Sequence, residues 1–105
     1  MEKELRLESE CKKIHFVGIG GVGMGSVAVA LSEAGYQVTG SDLALYEPMK
    51  SVLSGAAVRL IEGFEARTVE YIRPDLVVIG NVVRRDNIEV LITKIKRQSR
   101  YNTFI

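Results

Sequence analysis

The sequence is short of several features, and each shortage argues against a class of protein. Cys11 is the one cysteine among 105 residues, so no disulfide can form within the chain, and a reducing, cytoplasmic setting is expected. The formal net charge of +1 argues against a general nucleic-acid binder. No run reaches the roughly 20 apolar residues of a membrane span, and the mixed charges at the start do not resemble a signal peptide. We therefore expect neither a nucleic acid nor a membrane as a partner.

Metal ligands are scarce as well. His15 is the one histidine and Cys11 the one cysteine, so we expect no metal centre. His15 stands within a predicted strand, where a packed, hydrogen-bonded role is favoured over contact with a ligand. Cys11 stands in a charged leader over residues 1–13, where we expect an incidental thiol. No residue of the chain is predicted to be catalytic.

Glycine, in contrast, is concentrated where an apolar run ends and a helical pattern begins. Gly18, Gly20 and Gly23 occupy the three glycine positions of G-x-G-x-x-G. The first permits a sharp turn, the second lets a pyrophosphate approach the backbone, and the third lets helix and strand pack closely. Unpaired N–H groups and the helix dipole at such a turn favour an anion. In this setting the motif predicts a site for a phosphorylated ligand.

An acidic residue follows at the distance that a nucleotide site requires. Asp42 comes about 20 residues after Gly23, at the end of a second predicted strand. Its carboxylate could accept hydrogen bonds from both hydroxyls of a ribose. The alternative is an aspartate that caps a helix or closes a turn. The spacing favours the ribose and leaves the alternative open.

Strand and helix patterns alternate along the chain. The first strand is predicted at 14–18, and the fourth, at 76–80, is apolar enough to be buried on both faces. The remaining predictions are strands at 37–40, 58–61 and 101–104 and helices at 24–34, 48–53, 66–72 and from 86 onward. With no internal repeat, this pattern predicts one α/β domain. We expect a Rossmann-like open parallel sheet of about five strands, in the order 3-2-1-4-5, with helices on both faces.

The last helix carries two further predictions. Asp86 is expected to cap its N-terminus. An i, i+3, i+4, i+7 pattern predicts a buried apolar face. That face would consist of Ile88, Leu91, Ile92 and Ile95.

Polar residues also follow the fourth strand, at the carboxyl edge where ligands of open α/β sheets gather. Asn81 comes first, and Arg84 and Arg85 stand on the loop that leads to the last helix. A guanidinium is the best bidentate partner for a phosphate or a carboxylate. Two alternatives stay open: at least one of these arginines contacts a ligand, or both are solvated and contact none.

Two stretches together resemble the opening of the Mur ligases, the ATP-dependent ligases of bacterial cell-wall precursor synthesis. They are residues 14–24 (IHFVGIGGVGM) and residues 35–42 (GYQVTGSD). The glycine loop is most similar to the branch of the family that adds L-alanine to UDP-N-acetylmuramate. Residues 46–49 (YEPM) and 74–87 (PDLVVIGNVVRRDN) are more similar to the murein peptide ligases, the branch that adds a recycled tripeptide. The resemblance covers about residues 14–104, nearly the whole chain.

The resemblance implies a binding role. In Mur ligases the first domain binds the UDP part of UDP-N-acetylmuramate without a cofactor of its own, and ATP and Mg²⁺ act elsewhere in the complete ligase. After the turn at Gly18, the implied donors to the diphosphate are the N–H groups of Gly20, Gly21, Val22, Gly23 and Met24. The implied ribose partners are Asp42 and Ser41. The implied far rim consists of Asn81, Arg84 and Arg85.

The chain also departs from the family. It contains no G-x-x-x-x-G-K-[ST] run for the phosphates of ATP. We therefore expect residues 14–105 to be the UDP-N-acetylmuramate-binding domain alone, without ATP-binding and C-terminal domains and inactive by itself. Surface normally covered by those domains could drive self-association. Phe64 stands where the L-alanine branch usually has a histidine, and Ile88 stands where the family often has a proline.

Two other functions stay open. The glycine loop and Asp42 would equally suit an NAD(P)-binding Rossmann domain of a dehydrogenase or a regulatory subunit. The glycine pair at 20–21 and the segment at 80–81 favour the UDP-sugar over the dinucleotide. A structural or interaction domain without a ligand is the third possibility.

Overall fold

Strands and helices alternate along the part of the chain that the computed structural model describes, residues 12–21, 23–97 and 102–104. The strands are β1 (Lys13–Val17), β2 (Gln37–Asp42), β3 (Arg59–Glu62), β4 (Leu76–Ile79) and β5 (Asn102–Phe104). The helices are α1 (Met24–Glu33), α2 (Met49–Gly55), α3 (Ala66–Ile72) and α4 (Ile88–Arg97). None of these helices, over the described residues, is long and apolar enough to cross a membrane. The predicted elements are present with bounds shifted by a residue or two, while most of the predicted leader, with Cys11, lies outside the described residues.

The strands form one parallel sheet in the order β3-β2-β1-β4-β5. β1 lies at its centre, where Phe16 is flanked by Gly40 of β2 and Val78 of β4. This confirms the predicted α/β class and the order 3-2-1-4-5. The connections from β1 and β4 leave in opposite directions, so a crevice opens at the carboxyl ends of these two strands.

One face of the sheet is covered by α1 and α2 around an apolar core. Phe16 of β1 packs with Ala28 of α1 and Leu53 of α2, and all three are fully buried. Gly40 of β2 has no room for a side chain, because a Cβ there would collide with the side chain of Ile19. The absence of a side chain at Gly40 lets Ile19 enter this core, and each large side chain buried there stabilises the fold by about 1.5–3 kcal/mol.

The opposite face is covered by α4, with α3 beside it. Val17 of β1 and Val77 of β4 pack there against Val90 of α4. Successive side chains of a strand point to opposite faces, so β1 sends Phe16 to one core and His15 and Val17 to the other. A central parallel strand covered by helices on both sides is buried in this way.

Helix α4 turns a different face to the sheet from the one predicted. Glu89 and Thr93 are fully buried and Val90 nearly so. The exposed apolar residues of the helix are Ile88, Leu91 and Ile95. The predicted apolar face was wrong because helical periodicity identifies a stripe of apolar residues, whereas here the buried stripe contains polar side chains with internal hydrogen-bond partners.

The cap of α4 also differs from the prediction. Asn87 Oδ1 accepts the N–H groups of Glu89 at 2.8 Å and Val90 at 3.4 Å, so Asn87 is the capping residue. Asp86, the predicted cap, instead forms an ion pair with Arg84. Aspartate and asparagine cap helices about equally well, so residue type could not decide between two neighbours, and the backbone decided by starting the helix at Ile88.

Candidate functional site

A cleft of 660 Å³ opens at the carboxyl ends of the central strands. Its first wall is the turn between β1 and α1, with Gly18, Gly20 and Gly21. Its second wall is the last residue of β2 and the segment after it, residues 42–47, together with Met49. Phe64, residues 82–84 and residues 86–87 complete the lining. The cleft therefore lies at the crevice between β1 and β4, where the strand order predicts it.

The turn between β1 and α1 requires glycine at two of its positions for reasons that the structure makes explicit. Gly18 has a φ of +85°, and a Cβ at this residue would lie 2.5 Å from Val83 Cγ2. A Cβ at Gly20 would lie 2.9 Å from Asp42 Oδ2. The first glycine thus permits both the turn and the close approach of the loop after β4. The second leaves room for Asp42 as well as for any ligand.

Asp42 lies across this turn and lines the cleft, which is where the predicted nucleotide site requires an acidic residue. Its Oδ2 accepts the N–H of Gly20 at 2.7 Å, and its Oδ1 accepts the N–H of Leu43 at 2.8 Å. The second contact is of the turn-closing kind that the sequence left open. Each carboxylate oxygen has a second lone pair, so the group can still accept hydrogen bonds from hydroxyls in the cleft.

The backbone donors of the turn are largely engaged within the chain, in contrast to the open cradle that the motif predicts. The Gly21 N–H donates to Gly18 O at 3.2 Å, and the Met24 N–H donates to Gly21 O at 3.1 Å. Val22 lies outside the described residues. Gly23 adopts the left-handed conformation and is exposed at the start of α1, which has no side-chain cap. The uncapped first turn of α1 is therefore the end of the helix that favours an anion.

Ser41, predicted beside the ribose, is directed beneath the cleft. Its side chain is fully buried, and its hydroxyl donates to Glu89 Oε1 at 2.5 Å. Its carbonyl oxygen accepts the N–H groups of Gly18 at 2.8 Å and Ile19 at 3.1 Å. Ser41 thus supports the glycine turn from below, and its hydroxyl faces away from the cleft because it is held by α4.

The far rim brings only part of the predicted set to the cleft. Arg84 lines it, while Asn81 and Arg85 are exposed and lie outside the lining. Arg84 Nε lies 3.0 Å from Asp86 Oδ1, and this hydrogen bond raises the pKa of Arg84 and lowers the pKa of Asp86. Both side chains are exposed, so the pair holds the arginine only loosely.

Carboxylates outnumber guanidinium groups among the residues that line the cleft. Asp42, Glu47 and Asp86 face it together with Arg84. Hydrogen bonds from Ser51 lower the pKa of Glu47, which stays ionised at neutral pH. Carboxylates accept hydrogen bonds from sugar hydroxyls, whereas a diphosphate would have to be held by Arg84 and by backbone N–H groups.

Several residues that line the cleft were not among the predicted site residues. Tyr46, Phe64 and Val82 present aromatic or aliphatic surface to the cleft. Their position just after the ends of β2, β3 and β4 could have identified them, since loops at the carboxyl ends of parallel strands share one edge. Glu89, buried under the cleft, had no such signal, because it stands inside a helix whose buried face was assigned to other residues.

The family model described as "Mur ligase family, catalytic domain" matches residues 13–101. Among curated proteins, the chain is 43% identical over 75 residues to UDP-N-acetylmuramate–L-alanyl-gamma-D-glutamyl-meso-2,6-diaminoheptandioate ligase of Escherichia coli strain K12. It is 47% identical over 79 residues to UDP-N-acetylmuramate–L-alanine ligase of Anaeromyxobacter dehalogenans. These matches cover 71% and 75% of this chain but only 16% and 17% of the two relatives. The chain thus spans about a sixth of the length of these relatives.

The solved structures that match this chain are ligases of the same two kinds. The chain superposes with a TM-score of 0.76 and 35% identity on the UDP-N-acetylmuramate:L-alanyl-gamma-D-glutamyl-meso-diaminopimelate ligase from Neisseria meningitides. It superposes with a TM-score of 0.74 and 33% identity on UDP-N-acetylmuramate-alanine ligase from Thermotoga maritima. The aligned parts are 89% and 88% of this chain and 28% and 20% of those structures.

Proposed function

This chain belongs to the Mur ligase family, and from that premise we propose that it holds the uridine diphosphate end of UDP-N-acetylmuramate. Residues 14–105 would form the binding domain of a ligase that contains further domains. The observation that carries the proposal is the position of Asp42 across the glycine turn, at the mouth of the cleft between β1 and β4. Ribose hydroxyls and an anion would be recognised side by side there.

Each group has a proposed role in this complex. Asp42 would accept the ribose hydroxyls, and the uncapped start of α1, with Arg84, would face the diphosphate. Because Gly20 already donates to Asp42, the nucleotide would bind to a turn whose shape is set in advance. The apolar surface of Phe64 and Val82 would cover the less polar parts of the ligand. Asn81 and Arg85 remain proposed rim residues that would need a loop movement to touch it.

The contribution of this domain to the reaction would be position. Holding the nucleotide end of the substrate places its distant carboxylate for activation, and orientation of this kind lowers the barrier of a reaction between bound partners. In the complete ligase, ATP with Mg²⁺ would supply the phosphoryl group for that activation, at residues outside this chain. We assign no catalytic residue to the chain and expect no ligation or ATP hydrolysis from it alone.

Calorimetric titration of the 105-residue chain with UDP-N-acetylmuramate, UDP and NADH tests the proposal. We expect heat with the two uridine ligands. In Asp42→Asn we expect affinity to fall by about tenfold, since one charged hydrogen-bond partner is lost. The matched control is Glu70→Gln, which neutralises an exposed carboxylate on α3 outside the cleft. Heat with NADH and none with either uridine ligand would overturn the proposal and favour a dinucleotide-binding domain.

A further inference from the structure

A network of buried polar side chains lies directly beneath the cleft. His15 of β1, Ser41 of β2 and Glu89 of α4 are all fully buried. His15 Nε2 lies 3.0 Å from Glu89 Oε1 and 3.1 Å from Ser41 Oγ, and His15 Nδ1 lies 2.7 Å from Thr39 Oγ1. The proposed binding of the nucleotide uses none of these side chains directly. Polar groups buried to this extent are retained only when their hydrogen bonds are made.

Glu89 is the centre of this network. Its Oε1 accepts a hydrogen bond from Ser41 Oγ and lies within hydrogen-bonding distance of His15 Nε2. Its Oε2 accepts the backbone N–H of Glu65 at 3.0 Å. Polar groups from three different segments thus converge on this one carboxyl group.

The segments that meet at Glu89 are the walls of the cleft. Glu65 follows Phe64, which lines the cleft. Asn87, another lining residue, caps the helix by accepting the N–H of Glu89 itself. Ser41 accepts the N–H groups at the start of the glycine turn through its carbonyl oxygen.

We propose that Glu89 is a positioning residue, which holds the glycine turn, the Phe64 loop and the start of α4 in one arrangement without touching the ligand. The identity of the ligand rests on the proposed function, whereas the coupling of the walls of the cleft does not depend on it. If filling the core were the only role of residue 89, an apolar side chain of similar volume would serve as well and would need no desolvation of a carboxylate. Hydrogen bonds fix direction and distance, which apolar contacts do not.

The test compares Glu89→Met with Thr93→Val in the 105-residue chain. Methionine keeps the length of the side chain and removes every acceptor. Thr93 is equally buried on the same helix, and its hydroxyl donates to Glu89 O within α4, so Thr93→Val removes one buried hydrogen bond without a link to the cleft. Both variants are measured at a temperature where each is fully folded.

Two readouts are expected to separate the variants. In ¹H–¹⁵N spectra without ligand, Glu89→Met is expected to shift the amides of Gly18 and Glu65 and to speed their hydrogen exchange, whereas Thr93→Val shifts only amides of α4. In titrations with UDP, Glu89→Met is expected to lower affinity about tenfold and Thr93→Val less than about twofold. If Glu89→Met does not fold, Ser41→Ala replaces it, and Ser41→Thr is expected to restore the amide positions by restoring the hydroxyl.

The outcomes are distinct. Unmoved Gly18 and Glu65 amides in Glu89→Met, or equal amide and affinity changes in Thr93→Val, would overturn the inference. In the Ser41 pair, failure of Ser41→Thr to restore the amides that Ser41→Ala moves would overturn it as well. If the unmodified chain binds no UDP, the proposed function fails, while the ligand-free amide readout still decides whether Glu89 couples the walls.

Discussion

On one face of the sheet Phe16 is buried against Ala28 and Leu53 in an apolar core, whereas on the other face His15, its neighbour in β1, is buried against Glu89. The apolar core is stabilised by the removal of surface from water, which has no preferred direction. The polar network depends on distances of about 3 Å between particular atoms. The directional face is the one whose residues hydrogen-bond to the start of the glycine turn and to the residue after Phe64. One strand can therefore contribute to stability on one side and to the placement of a site on the other.

The apolar face should give the largest loss of stability. Phe16→Ala is expected to lower the free energy of unfolding by about 3–5 kcal/mol, because it removes a large buried side chain and leaves a cavity. Urea denaturation measures the change. The control is Val27→Ala on α1, where the side chain is half-exposed and the expected change is within about 0.5 kcal/mol. Similar losses in the two variants would contradict the assignment of the core.

The polar face should show strong coupling between its members. Glu89→Met is expected to cost about 3 kcal/mol, because the donors of His15, Ser41 and Glu65 lose their acceptor. The double variant with His15→Leu is expected to lose about 1–3 kcal/mol less than the sum of the two single changes, since the contact between the two side chains is then lost only once.

The matched cycle combines His15→Leu with Thr93→Val, whose side chains share no hydrogen bond with one another in the described part of the chain, and the coupling between these changes is expected to be smaller. Urea denaturation of all the variants gives the coupling energy directly. Additivity in the His15–Glu89 cycle would mean that the two side chains are buried side by side without depending on one another.

At the start of α4, two adjacent residues, Asp86 and Asn87, are expected to differ in their contribution to stability. Asn87→Ala is expected to lower stability by about 1 kcal/mol, since two N–H groups of the first turn lose their acceptor. Asp86→Ala, at the position that sequence alone favours for the cap, is expected to leave stability unchanged. Thermal unfolding followed by circular dichroism compares them. A larger loss in Asp86→Ala would restore Asp86 as the cap.

Removing a hydrogen bond to the exposed carboxylate of Glu47 should have the smallest effect on stability, in contrast to changes at the buried carboxyl group of Glu89. Hydrogen bonds from Ser51 lower the pKa of Glu47 below the ordinary value of 4.5. A folded-state pKa lowered in this way adds stability above the unfolded pKa, and that stability is lost as the pH falls through the folded value. Ser51→Ala is expected to raise the pKa, measured by NMR titration of the Glu47 carboxylate, with Ser54→Ala as the control. An unchanged titration would show that the Ser51 hydroxyl is not the cause, because the Ser51 N–H still donates to Glu47 in the variant.

The position of the cleft is easier to predict from the sequence than the identity of the atoms that face it. Glycine spacing and the position of Asp42 depend on backbone geometry at the end of a strand, which is local and therefore visible in the sequence. Neighbouring residues of a strand point to opposite faces of the sheet, and here Asp42 points into the cleft while Ser41 points away from it. The sequence does not show which of these two residues faces the cleft. Which side faces the cleft depends on how α4 packs, and α4 was assigned the wrong buried face.

The α/β class and the glycine turn follow from local patterns, since hydrophobic periodicity and φ > 0 at Gly18 are properties of short segments. The order of the strands follows from the rules that govern connections between alternating strands and helices. The tertiary structure alone decided that Glu89 and Thr93 are buried while Ile88 and Ile95 face the solvent. A carboxylate is stable in the interior only when donors from other segments converge on it. Those donors come from residues 15, 41 and 65, far from position 89 in the chain, so no local pattern could have announced them.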